Sequence, residues 1–256
     1  SLIRQVIGVR GDRLGEATRQ LLALAAVIGQ DVSLELWARL AGVDAGELLP
    51  TIEQSVDARL LEADRDGTRV RFVHALTRES LYDGVIAPRR RQWHLNVAEA
   101  LVDDPTSPDV VAYHLQQAGD SRAWEWLERA GDRAQRAYAW LTALDRFAAA
   151  AALLDGQPGM EPRRARLLFR CGRLRRLSNP VEGIAYLTAA EGVAKDSENR
   201  LLELDAIYSR GLLNCYADDF ASGLARMESA IVEMETMPEA EALPSWTRDA
   251  ALADAL

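Results

Sequence analysis

One histidine, His74, stands where a predicted strand passes into a predicted helix, a position that would hold a chemical group firmly. Val70 and Phe72 alternate with arginines before it, which is typical of a strand. The run after it, which contains Arg78 and Tyr82, has a helical pattern. The imidazole could bind a ligand from this junction, or it could cap the following helix or fill the base of a hairpin.

The other histidines and the cysteines lack the spacing of a metal or catalytic site. No histidine lies four residues from another or beside a ligand-like cysteine or aspartate, so His94 and His114 are predicted to be buried packing residues or surface groups. Cys171 and Cys215 show no CxxC spacing, which argues against disulfides and favours a reducing cytoplasm. No GxSxG sequence occurs. We therefore predict no catalytic residue, no metal site and no enzymatic activity.

Charge is distributed unevenly along the 256 residues. Residues 1–91 hold 13 arginines and 13 acidic residues, so the remaining residues carry the whole net charge of −9. Nucleic acid binding draws on clustered positive charge, which neither part offers.

No apolar run is long enough for a membrane span, and no signal peptide pattern begins the chain. The missing initiator Met suggests a piece of a longer polypeptide.

Residues 1–91 follow the element order of a winged-helix domain. The pattern predicts a helix ending at Gly29, helices over 34–41 and 45–59, and strands over 60–64 and 69–73. Asp66 and Gly67 suit the tight turn between the two strands. Pro50 implies a kink in the third helix or an earlier true start.

The third helix of a winged helix enters the major groove when the domain binds DNA. Here that helix carries Glu47, Glu53 and Asp57, and no basic residue precedes Arg59. Phosphates would be repelled by this face. The pattern therefore favours a winged helix that packs against protein.

From residue 75 onward the pattern is helical and repeats. Small residues recur at Ala123, Ala143, Gly183 and Gly223, large ones at Leu127, Phe147, Leu187 and Met227, and alanine at Ala130, Ala150, Ala190 and Ala230. The spacings of 20, 40 and 40 residues predict two helices per unit. Tetratricopeptide-like hairpins are the favoured interpretation, and an irregular helical bundle is the alternative.

Two more clusters allow more than one interpretation. Arg89, Arg90 and Arg91 could grip a nucleotide phosphate or nucleic acid, or they could form a solvated helix start or a salt-bridged cluster. Trp124 and Trp126 point in different helical directions, so one of them is expected to be exposed in a binding groove.

The segment around His74 resembles the end of the winged-helix module in STAND-type signalling ATPases. The matching residues are Val73, His74, Leu76, Arg78 and Glu79, and Ala75 stands where that family has an acidic residue. Residues 88–101 and 112–120 resemble the bridge between winged helix and repeats in large bacterial LuxR-type regulators. Residues 6–14 and 21–29 resemble the entry to that winged helix. The chain shows no GxxxxGK[ST] phosphate loop.

We therefore predict a mainly all-α protein with two domains. Residues 1–91 form a winged helix with a small β-hairpin. Residues 92–256 form an α-solenoid of tetratricopeptide-like hairpins that is incomplete at its C-terminus. The resemblance implies a regulatory and sensor segment of a cytoplasmic ATP-dependent transcriptional regulator. It implies that His74 and Arg78 contact ADP phosphate only together with an upstream nucleotide-binding domain, and that the repeats bind an inducer or protein partner. This segment is expected to bind no cofactor, nucleic acid or membrane by itself. The alternatives are a self-contained winged-helix DNA binder with a repeat oligomerisation arm, and the regulatory half of a nucleotide cyclase or kinase.

Overall fold

The computed structural model describes residues 15–102 and 108–237, so the entry segment 6–14 lies outside the described residues. The described part contains twelve helices and three short strands. In chain order these are α1 (Glu16–Ile28), β1 (Asp31–Ser33), α2 (Leu34–Ala41), α3 (Ala45–Asp57), β2 (Leu61–Ala63), β3 (Arg69–Phe72), α4 (Ala75–Asp83), α5 (Ala87–Leu101), α6 (Pro108–Ala118), α7 (Ala123–Arg136), α8 (Trp140–Leu153), α9 (Glu161–Arg175), α10 (Pro180–Asp196), α11 (Arg200–Tyr216) and α12 (Phe220–Thr236). The predicted mainly helical fold with a small sheet is confirmed.

The chain forms two compact units, Ser1–Ser121 and Arg122–Leu256. We predicted the boundary after residue 91, with α5 and α6 among the repeats. In the structure both helices belong to the first unit, because α5 packs against α1, α2 and α6. The second unit begins at α7.

The first unit is built on the predicted winged-helix order. Ser33 caps α2 by accepting a hydrogen bond from Leu36 N at 3.5 Å, and Gly42 ends that helix in the left-handed conformation, at φ 69°. Helix α3 runs continuously through Pro50. Trp37 is buried in the core, and its indole N–H donates to the Leu21 carbonyl at 3.1 Å.

A third strand, β1, completes the sheet and was not predicted. The strand order is β1-β3-β2, and both pairings are antiparallel. Asp31 lies opposite Arg71, and the Arg71 Nε donates to the Asp31 carboxylate at 2.6 Å. The buried face of β3 consists of Val70 and Phe72, as its alternation predicted.

Up to residue 237, where the described residues end, the second unit consists of three helical hairpins, α7/α8, α9/α10 and α11/α12, with neighbouring hairpins packed on one another. All members of the predicted small, large and alanine positions are buried except Met227, which is half-buried. The hairpins therefore follow the predicted 40-residue register.

On the first helix of each hairpin, a large side chain of the second helix packs directly against a glycine. A Cβ on Gly131 would overlap the Phe147 ring, and a Cβ on Gly172 would lie 2.5 Å from Leu187 Cγ. A Cβ on Gly211 would lie 2.8 Å from Met227 Cγ. These glycines recur after 41 and 39 residues, a repeat that the predicted set of small residues did not include.

Candidate functional site

His74 immediately precedes α4 and is exposed. Its backbone carbonyl accepts hydrogen bonds from Thr77 N at 3.0 Å and Arg78 N at 3.4 Å, but its imidazole makes no cap hydrogen bond. His74 is thus the N-cap residue of α4 by its backbone, and its side chain is exposed and makes no cap hydrogen bond. The ring is available to a partner outside the unit.

Arg78 lies one turn further along α4 and is half-buried. Its Nη1 donates to the Ala26 carbonyl at 3.2 Å, which ties α4 to the last turn of α1. A guanidinium has five N–H donors, so this contact occupies only part of its capacity. Arg78 thus has a structural bond in addition to its predicted ligand role.

The residues around these two differ in exposure. Glu79 and Leu76 are exposed, whereas Val73 is half-buried and donates its backbone N–H to the Leu60 carbonyl at 3.0 Å. Ala75 is also exposed, so the first turn of α4 presents no carboxylate. The positive end of the helix dipole is therefore not neutralised there.

The arginine cluster on α5 is partly engaged within the unit. The Arg90 guanidinium lies 4.9 Å from the Tyr82 ring centroid, donates to the Tyr82 carbonyl at 3.3 Å and approaches Asp83 at 3.9 Å. Arg89 lies 5.9 Å from the Trp93 ring centroid. These contacts support the salt-bridged cluster over a phosphate grip.

A chain of hydrogen bonds links Tyr82, His94 and His114 inside the first unit. The Tyr82 hydroxyl lies 3.0 Å from His94 Nε2, and His94 Nδ1 lies 2.8 Å from His114 Nδ1. Both histidines are 1% exposed, so of the two predicted alternatives, buried packing residues and surface groups, the structure shows the first. Their direct contact was not predicted.

Both imidazoles are neutral in this environment. Burial, aided by the positive charges of Arg90 and Arg78, lowers the pKa of His94 to about 4. Burial, aided by His94, lowers the pKa of His114 to about 3, against the raising effect of its hydrogen bond to the Ile28 backbone. The network assigns the tautomers: Tyr82 donates to His94, His94 donates to His114, and His114 donates to the Ile28 carbonyl. Every donor and acceptor in this chain of hydrogen bonds has a partner only when neither imidazole is charged.

In the second unit, ion pairs join the first helices of neighbouring hairpins. Arg163 of α9 donates to one Glu128 carboxylate oxygen of α7 through Nε at 2.9 Å and Nη2 at 2.6 Å. Arg170 bonds Asp132 at 2.5 Å, and its guanidinium lies 3.8 Å from the Phe147 ring centroid. These contacts fix the spacing between α7 and α9.

Neither tryptophan of α7 is exposed in a groove, contrary to our expectation. The Arg163 guanidinium lies 5.3 Å from the Trp124 ring centroid, and that of Arg129 lies 4.5 Å from the Trp126 centroid. Both rings are half-buried.

On α11, burial raises the pKa of Asp205 to about 6, an effect that the nearby Arg173 opposes.

The part of the chain that the structure describes was compared with the requirements of a metal site and of a membrane span. Within 15–102 and 108–237, no group of three or more His, Cys, Asp and Glu side chains could hold a metal ion. Over the same residues, no helix combines the length and apolar character needed to cross a bilayer.

Comparison with known proteins gives one structural similarity to report. No protein-family model matches the chain, and no curated protein sequence matches it. Among solved structures, the chain is similar to a STAND protein with a tetratricopeptide repeat sensor from Pyrococcus horikoshii, at 12% identity and a TM-score of 0.36. The match covers 86% of this chain and 50% of that protein, so this chain spans about half the length of its match.

Proposed function

We propose that this chain is the regulatory and sensor segment of a cytoplasmic STAND-type signalling ATPase that controls transcription. In this proposal the winged helix docks on an upstream nucleotide-binding domain, where His74 and Arg78 reach the phosphate of ADP. The hairpins of the second unit bind an inducer or a protein partner. The segment itself catalyses no reaction.

The exposed ring of His74 at the start of α4 is the observation that carries the proposal. A helix start leaves backbone N–H groups without intrahelical partners, and these groups favour anions. The uncapped imidazole of His74 adds a side-chain donor at the same end of the helix. A phosphate brought by another domain would therefore meet several donors at one place.

Arg78 supports the same interpretation through its position. The bond to the Ala26 carbonyl holds its side chain near the end of α1. A side chain already held in place loses less conformational entropy when its remaining N–H groups bind an anion. Arg78 would thus couple phosphate contact to the packing of α1 against α4.

Electrostatics favour a protein-docking role for the winged helix over a DNA-binding role. Helix α3 exposes Glu47, Glu53 and Asp57. Such a face repels a phosphate backbone. In the second unit, the ion-paired first helices form a preorganised surface of the kind that repeat proteins use for partners.

The test is His74→Ala in the full-length regulator. A hydrogen bond to a charged group contributes about 1.5–3 kcal/mol, so its loss is expected to shift the closed-to-open equilibrium by about 10- to 100-fold. Reporter transcription should then rise in the absence of inducer. Glu35→Ala, which removes an exposed side chain of α2, is the matched control and should leave basal transcription unchanged.

A melting curve of each variant separates regulation from stability. The proposal expects His74→Ala to raise basal transcription without lowering the melting temperature. Unchanged basal transcription together with a lowered melting temperature would make His74 a structural residue and overturn the proposal.

A further inference from the structure

The turns within the three hairpins of the second unit carry a row of exposed large apolar side chains. This hairpin-tip row consists of Tyr138, Trp140 and Leu141 at the first tip, Leu177 and Val181 at the second, and Tyr216 and Phe220 at the third. Val181 is 70% exposed and Phe220 is 58% exposed. Single exposed apolar residues need no explanation, but a set repeated on the turns of successive hairpins points to an interaction surface.

All three tips lie on one edge of the unit. Each helix reverses the direction of the one before it, so the first-to-second turn of every hairpin falls at the same end of the helices. The turns that connect one hairpin to the following one, at residues 154–160 and 197–199, fall at the opposite end. Trp140, Val181 and Phe220 each lie nine residues after the glycines Gly131, Gly172 and Gly211, which places them at equivalent positions.

The first tip holds its aromatic side chains outward at a conformational cost. Tyr138 has φ 58°, in the left-handed region that an aromatic residue rarely adopts. Its ring packs edge-on against Trp140, with centroids 5.5 Å apart, and is itself 76% exposed. Trp140 is 45% exposed, so the pair keeps a large part of its apolar surface in contact with solvent.

Charge changes sign along the row. The exposed Arg136 stands beside the first tip, and the exposed Asp218 and Asp219 stand at the third. At the middle tip, Arg175 Nε pairs with the Glu182 carboxylate at 2.9 Å. The apolar side chains of the row are therefore flanked by a basic residue at one end, an ion pair in the middle and acidic residues at the other end.

We propose that the hairpin-tip row binds a second copy of this chain in antiparallel orientation. A two-fold axis through the middle tip places the first tip of one copy against the third tip of the other. Arg136 of each copy then faces Asp218 of the other, which gives two equivalent contacts. Val181 of one copy lies near Val181 of the other. Such an isologous contact requires a self-complementary surface, and the order basic, apolar, acidic provides one.

The size of the row fits a weak, reversible dimer. An aromatic side chain offers about 150–250 Å², so seven half-exposed large side chains give roughly 600 Å² per copy. A stable interface buries about 800 Å² per partner. The row with its flanking charges approaches that area, and the association should be concentration-dependent. It requires neither a nucleotide-binding domain nor an inducer, and so goes beyond the proposed function.

The first test compares Val181→Glu with Val232→Glu by sedimentation velocity of the 256-residue chain. Val181→Glu brings two carboxylates together at the two-fold axis, and should weaken dimerisation by at least about tenfold. Val232, on α12 and 62% exposed, lies away from the tips and is the matched control. Its substitution should leave the dimer unchanged.

The second test is a charge swap. Arg136→Glu alone and Asp218→Arg alone each place like charges opposite one another and should weaken the dimer. The double variant restores opposite charges in both contacts and should recover the parent affinity to within about threefold. Melting curves confirm that each monomer remains folded.

A monomeric parent chain at about 100 μM would overturn the proposal. So would a dimer that withstands Val181→Glu, or one that only Val232→Glu disrupts, since the contact would then lie elsewhere. Failure of the double variant to recover affinity, with both single variants weakened and folded, would overturn the antiparallel arrangement.

Discussion

Gly183 and Gly192 lie on the same helix, α10, but only Gly183 is enclosed by neighbouring helices. A Cβ on Gly183 would overlap Leu213 Cδ2 of α11 and lie 3.0 Å from the Gly172 carbonyl oxygen of α9. A Cβ on Gly192 would meet no described atom within 4 Å. One helix thus contains a glycine required by close packing and a glycine with free space around it.

This difference predicts opposite effects of the same substitution. Gly183→Ala should lower the free energy of unfolding by about 1–3 kcal/mol, because the added methyl group overpacks the contact between hairpins. Gly192→Ala should raise it by roughly 0.5–1 kcal/mol, because alanine is the better helix former. Urea unfolding measures both.

Leucine at the tight positions extends the same test. Gly183→Leu and Gly223→Leu should each cost at least as much as Gly183→Ala. A Cβ on Gly223 would already lie 2.7 Å from the Gly211 carbonyl oxygen. If both leucine variants unfold like the parent, the 40-residue register is wrong.

The first unit should lose stability as the pH falls from 7 to 5. The pKa values of His94 and His114 are about 4 and about 3 in the folded chain, against an ordinary value of 6.5. The unfolded state therefore binds more protons over this range, and each imidazole contributes about 1.4 kcal/mol per pH unit below 6.5. We expect a loss of roughly 2–4 kcal/mol, measured by urea unfolding with hydrogen-exchange mass spectrometry of each unit.

The variant with His94→Gln and His114→Gln is the control for this prediction. It should be less stable than the parent at pH 7, because the buried chain is broken, but its stability should change less between pH 7 and 5. An equal loss in parent and variant would assign the pH dependence to other groups.

The two cysteines should differ in reactivity. Burial raises the pKa of Cys171 to about 12, so almost no thiolate is present at neutral pH. Cys215 is only half-buried. A thiol reagent at pH 8 should therefore label Cys215 first and Cys171 only on unfolding. Fast labelling of Cys171 in the parent chain and in Cys215→Ser would contradict its buried environment.

Duplex DNA should not bind the chain at physiological salt. The chain carries a net charge of −9, and helix α3 adds local negative charge where a winged helix would meet DNA. Fluorescence anisotropy with a random duplex of roughly 30 base pairs tests this. Saturable binding with a steep salt dependence would favour the alternative of a DNA-binding winged helix.

Nucleotides should bind the isolated chain only weakly. The described residues offer His74 and Arg78 as phosphate contacts at α4, without the cradle of backbone amides that a phosphate loop supplies. Calorimetry with ATP and ADP should show no binding tighter than about millimolar. A micromolar dissociation constant would contradict the division of labour with a separate nucleotide-binding domain.

Local signals made much of the fold predictable. Gly29 and Gly42 follow the last residues of α1 and α2, and Asp66 and Gly67 lie in the turn between β2 and β3. The repeat register also followed from sequence, because each buried alanine or glycine is set by contact with the adjacent helix. These features depend on residues within one or two elements.

Features that depend on distant residues were not predictable from patterns. Strand β1 has three residues, too few for alternation to show, and it forms only because β3 lies beside it. The contact between His94 and His114 joins two helices, and no periodicity records it. At the candidate site, sequence could place His74 at the helix start but could not show that Arg78 bonds Ala26.

The strand order β1-β3-β2 also sets a sequence of events during folding. The central strand is the last of the three to be synthesised, and β1 pairs with it across about forty residues. The sheet therefore cannot form before residue 72 has been synthesised. Its formation closes a long loop, which slows folding. The hairpins of the second unit pair adjacent helices and close short loops. Chain collapse there should be faster, so the slow step in the maturation of this protein should be the closure of its small N-terminal sheet.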